Sequence, residues 1–115
     1  MRTTVLALLV PVLLLAGCTS DPAPAPAPVR FDAEGDVQLT CMTHQTTVPD
    51  GDYTDPARAN TGRNLAVFRY YVLNGSLGYC DGAGPTADDR AWAQFSADST
   101  SNRAPVAAIL DAPTS

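Results

Sequence analysis

The residues able to do chemistry are few. His44 is the only histidine, and it follows Cys41 by three positions, the composition of a thiol nucleophile with a nearby base. Three residues along a strand point to opposite faces, however, so an extended chain would separate the pair. His44 with an aspartate is the other hydrolytic combination, but no G-x-S-x-G turn presents a serine. Asp50, Asp52 and Asp55 crowd one turn with oxygens suited to Ca²⁺, yet the twelfth position of an EF-hand register is Thr61 rather than Glu. Asp88 and Asp89 stand side by side where a helix would begin, and Glu34 is the sole glutamate. The sequence therefore assigns no catalytic residue, no metal ligand and no cofactor. Most of the aromatics Tyr70, Tyr71, Tyr79 and Trp92 are expected in the core, but Tyr70 and Tyr79, if both face outward near the glycine-rich stretch, would form an amphipathic patch for a protein, peptide or glycan partner.

The elements that must position these residues are short. Asp36 to Met42 alternates polar and apolar residues, placing Val37, Leu39 and Cys41 on one face of a strand. Thr46-Thr47-Val48 adds a second extended stretch before the turn chemistry of Pro49 to Asp52. In Asn64 to Leu73, the residues Leu65, Phe68, Tyr71 and Val72 form an apolar stripe at helical spacing, with Asn74-Gly75 as its stop. The β propensity of Val67, Phe68, Tyr70, Tyr71 and Val72 makes a strand the rival reading. Gly62 argues against extending that helix back to Asp55-Pro56. A second helix opens at Thr86, with Asp89 in the capping-box position and Ala91, Trp92 and Phe95 facing inward. Ser99 to Asn102 reads as loop, and Pro105 opens a last short helix or strand to Leu110. Between the two better helices, Gly75 to Gly84 holds four glycines in ten residues, a tight turn.

The amino-terminal residues are of another kind. Arg2 precedes an apolar run from Val5 to Leu15, too short for a bilayer that needs roughly 20 helical residues. A basic start, a short apolar run and small residues describe a secretory signal peptide. It ends in Leu15-Ala16-Gly17-Cys18, which resembles the lipobox of bacterial lipoproteins at every position. That resemblance implies cleavage before Cys18, a diacylglycerol thioether on its sulfur, and acylation of the new amino terminus, for instance with palmitate. Two or three acyl chains anchor stably where one does not. The signal peptide is then residues 1–17. The lipidated cysteine and a Pro/Ala-rich linker are residues 18–28, in which Pro22 to Pro28 alternates proline with alanine. Such a segment favours polyproline II and spans roughly 30 Å at about 3.1 Å per residue. Eighteen alanines, seven arginines and no lysine make the chain similar to small envelope lipoproteins of actinomycetes, a resemblance that brings no active site with it.

Residues 29–115 are left to fold. An exported domain with two further cysteines is expected to pair Cys41 with Cys80. The bridge matters in so short a chain, which cannot bury a large core. Loss of Arg2 with the leader moves the net charge from −5 to −6, an unfavourable surface for nucleic acid. The expected fold is α+β: a small disulfide-stapled domain with one or two short strands and two to three helices behind a disordered linker. The expected function is that of a membrane-anchored extracytoplasmic lipoprotein of the cell envelope, a non-enzymatic binding or structural domain. The alternatives are a small envelope hydrolase using His44 with an aspartate, and a solute- or metal-binding lipoprotein. Anchoring has a direct readout. Cys18→Ser should move the protein from the membrane fraction to the soluble fraction, and unchanged partitioning would contradict the lipobox assignment.

Overall fold

A computed structural model describes residues 28–34 and 37–113. The leader, the lipobox with Cys18 and nearly all of the Pro/Ala linker lie outside the described residues. The regular elements, in chain order, are helices α1 (Gly51–Thr54), α2 (Thr61–Asn74) and α3 (Ala87–Thr100), a 3-10 turn (Ala104–Val106) and α4 (Ala107–Leu110). No described helix is long and apolar enough to cross a membrane. The α+β expectation is corrected. Among the described residues there is no strand, only one isolated parallel bridge between Met42 and Tyr79.

The segment expected to be a strand shows why. Its Val37 is 67% exposed, while Met42, expected on the other face, is buried. Among the described residues no neighbouring strand completes a ladder, and side chains satisfy backbone groups of this segment. The Asn74 amide does so at both ends, accepting from Leu39 N and donating to Val37 O, each at 2.8 Å. Among the described residues Met42 makes the only two sheet-like bonds, donating to Gly78 O and accepting from Cys80 N, both 2.9 Å. Cys41 and Cys80 are disulfide-bonded beside that bridge with their Cα atoms 5.0 Å apart. Closing a loop with a sequence separation of 39 is worth about 4 kcal/mol in the chain-entropy model. The Thr46-Thr47-Val48 stretch forms no strand either. Thr46 N donates to Asp32 and Thr47 O accepts from Trp92 Nε1 at 2.7 Å.

Asn64 to Leu73 is helical, within the longer α2. Asn60 caps it by accepting from Arg63 N, and Gly62 sits in its first turn, where the missing side chain costs least. The buried face differs from the expected stripe. Val67, Tyr70, Tyr71 and Asn74 face inward, at i, i+3, i+4 and i+7, whereas Leu65 and Val72 are 55% and 67% exposed. The stripe was rotated because its fourth member, Asn74, is polar. Helix α3 has the expected capping box between Thr86 and Asp89 and buries Asp89, Trp92, Ala93, Ser96 and Ala97. It runs through Thr100, absorbing part of the expected loop, and stops at Ser101 in the left-handed conformation with φ 51°.

Phe31 enters from the amino-terminal segment and fills the space between these helices. Its ring lies 5.0 Å from both Tyr70 and Trp92 and 5.7 Å from Tyr71, and its amide donates to the Tyr53 hydroxyl at 3.1 Å. The contact with Tyr70 is edge-to-face, an arrangement that adds about 0.5–1.5 kcal/mol to the burial of the rings. At the far end of the chain, the Arg90 guanidinium collects the carbonyls of Ile109, Leu110 and Ala112. That is a cation on the negative end of α4.

Gly75 closes α2 in ordinary right-handed conformation, φ −62°, so its lack of a side chain has a steric cause. A Cβ there would lie 2.1 Å from Pro105 O and 2.6 Å from Tyr71 O. The helix end and the 3-10 turn approach one another through that gap. Gly75→Ala should therefore lower stability in urea denaturation by at least about 2 kcal/mol. Gly78→Ala, where a Cβ meets nothing within 4 Å, should change it little; equal losses would contradict the close approach.

Candidate functional site

Two places combine chemistry with geometry. The first grows from the capping box of α3. The Asp89 side chain is 1% exposed, and its two oxygens serve three groups in two segments. Oδ2 accepts from Thr86 N at 2.8 Å, completing the cap, and Oδ1 accepts from Gln45 N at 2.7 Å. His44 Nδ1 then lies 2.6 Å from Oδ2. On its other side His44 Nε2 is 2.8 Å from Asp81 Oδ2, and its ring stacks on Tyr79 at 4.2 Å and 13°. Asp81 is itself held by a local turn, accepting from Ala83 N at 2.9 Å.

A neutral imidazole carries one N–H and can satisfy only one of two carboxylates, whereas the imidazolium satisfies both. The His44 pKa is accordingly raised above 6.5, chiefly by its bond to Asp89; burial opposes the rise, and the bond to Asp81 adds to it. The Asp81 pKa is lowered, first by the Ala83 amide and then by His44. Burial pushes the Tyr79 phenol up, with the Asp89 charge adding to it. Nε2, the atom that would take a proton from a nucleophile, is bonded to Asp81. The cluster clamps the loop 42–47 and the turn 78–83 onto the start of α3.

The second place is a groove of about 670 Å³ between α1, the start of α2 and α3. Pro49, Tyr53, Pro56 and Phe95 form its apolar walls, and Asn64, Gln94, Asp98 and Ser99 supply polar groups. Asn64 Nδ2 donates to Tyr53 O at 3.0 Å, while its buried Oδ1 has no hydrogen-bond partner among the described residues. Phe95 packs among Tyr53, Phe68 and Trp92 and is half-buried.

The residues singled out in the sequence are distributed as follows. Tyr70 is not at a surface. It is 1% exposed, because residue 70 lies on the inward face of α2 and its ring meets Phe31 and Tyr71. Tyr79 is half-buried with one ring face covered by His44. The two tyrosines therefore make no joint outward patch. Asp50 caps α1, Asp52 pairs with Arg58 at 2.8 Å, and Asp55 accepts from Ala57 N. Among the described residues no three or more His, Cys, Asp or Glu side chains are grouped to hold a metal. The groove was missed by sequence reasoning. Its walls come from three elements, and its only local signal is Pro49 and Pro56 bracketing Tyr53.

No protein-family model, curated protein or solved structure matches this chain.

The clamp predicts a pH dependence with a definite sign. A group whose pKa is raised on folding stabilises fully below its unfolded value, and that contribution is lost as pH rises through the folded value. Thermal stability should fall as pH rises above 6.5, measured between about pH 6 and 9 where other side chains titrate little. His44→Gln should be less stable at the acidic end and nearly flat across the range. Parallel profiles for the two proteins would contradict the clamp.

Proposed function

We propose that the chain is a lipid-anchored extracytoplasmic protein of the cell envelope, whose folded head binds a small ligand and does not transform it. The lipobox resemblance at Leu15 to Cys18 and the Pro/Ala spacer behind it support the anchoring. The observation that carries the binding reading is the groove between α1 and α3. Its volume of about 670 Å³ falls within the range of small-molecule sites, roughly 300–1,000 Å³. Apolar walls with a few polar groups at the margin are the usual make-up of such sites. The hydrolase alternative draws no support from His44, both of whose ring nitrogens are engaged by carboxylates.

A fragment screen by protein-observed NMR tests the reading. Hits should shift resonances of Ala59, Ala91, Phe95 and Ser99 together. Perturbations centred on His44 and Tyr79, or turnover of ester or peptide substrates lost in His44→Gln, would overturn it.

A further inference from the structure

Among the described residues Asp98 is the only charged side chain that lines the groove. The segments framing it, residues 49–64 and 91–99, carry four aspartates and two arginines, and both arginines are engaged elsewhere. Arg58 is paired with Asp52 at 2.8 Å, and Arg63 lies over the Tyr53 ring at 5.5 Å and within 4.0 Å of Glu34. Asp98 Oδ1 accepts from Gln94 Nε2 at 2.7 Å, and among the described residues nothing donates to its other oxygen. Beside it stands the half-buried ring of Phe95, whose π face attracts a cation. Gln94 and Ser99 add side-chain oxygens to the same lining. The lining thus offers apolar surface, acceptors and one carboxylate, and it offers no cationic group to receive an anion. The whole chain, at net charge −5, favours the approach of positive ligands as well.

We infer that the groove takes a small amphipathic organic cation. Its apolar ring or stem would lie against Pro49, Pro56 and Phe95, and its primary ammonium would reach Asp98. This rests on the groove being a binding site, as proposed above, and adds the chemical class of its ligand. An ammonium brings several donors to a place rich in acceptors. Its pairing with a carboxylate next to an aromatic ring combines a charge-assisted hydrogen bond with a cation–π contact. A neutral isostere forfeits both, and a carboxylate analogue meets Asp98 with like charge.

Calorimetric titration of the full chain in zwitterionic lipid nanodiscs, corrected against empty nanodiscs, separates these cases. The probes are benzylammonium, benzyl alcohol and benzoate, with a peptide copying residues 22–28 as competitor. Benzylammonium should saturate a single site, benzyl alcohol should bind about tenfold more weakly, and benzoate should not bind. Asp98→Asn should bring benzylammonium down to the level of the alcohol while leaving the alcohol unchanged. Benzyl alcohol or benzoate binding as tightly as the cation would overturn the ligand class and leave the groove a binding site. Displacement of the cation by the peptide would assign the groove to the chain's own spacer instead. Failure of all three probes, with Phe95→Ala indistinguishable from the parent, would overturn both readings.

Discussion

The carboxylate of Asp89 sits where three parts of the chain meet, and none of them forms a sheet that could hold the others. It accepts the amide of Thr86 at the start of α3, the amide of Gln45 in the long loop, and the imidazole of His44. Through His44 it reaches Asp81 and the turn that carries Cys80. Burying a carboxylate is unfavourable unless its oxygens are satisfied, and here the donors that satisfy it are also those that need fixing. One side chain at 1% exposure thereby sets the position of α3 relative to residues 42–47 and 78–83. The far end of α3 carries Gln94, Phe95 and Asp98 into the groove, so the placement of the groove's wall depends on the same helix.

Asn74 repeats the device at the end of α2. Its amide bonds Leu39 and Val37 as a neighbouring strand would, and the next residue has no side chain so that Pro105 can approach. Gln45 accepts from Asp32 N at 2.9 Å, and Asp32 in turn takes Thr46. A small domain without a β-ladder must still pair the backbone groups of its loops. This chain does so largely with Asp, Asn and Gln side chains reaching across the interior. The disulfide and the aromatic cluster around Phe31 supply the cohesion, and the polar side chains specify which loop lies where.

Much of the helical content was legible because its signals are local. Thr86 and Asp89 mark the start of α3 by capping geometry alone, and a 3.6-residue period places a helix over Leu65 to Val72. The pairing of Cys41 with Cys80 followed from their number once one cysteine was assigned to the lipobox. The apparent strand at residues 36–42 was misread because alternation describes a strand only if a partner strand exists. Here the partner is a side chain 35 residues away, and pattern reading has no means of finding it. Tyr70 falls outside the expected stripe for a related cause: the inward face of α2 includes a polar residue, Asn74, and an apolar stripe drawn without it turns away from the core. The groove was illegible because its lining is assembled from three separate elements.

Amide hydrogen exchange on Asp89→Asn tests the central dependence directly. The amide nitrogen of asparagine would confront donors where the carboxylate now accepts, at a cost of about 3 kcal/mol. Protection should be lost together at Gln45, at the first turn of α3, and at the Met42 and Cys80 amides of the bridge, while the middle of α2 stays protected. Loss confined to the first turn of α3, with the loop and the bridge unaffected, would mean that Asp89 caps one helix and organises nothing further.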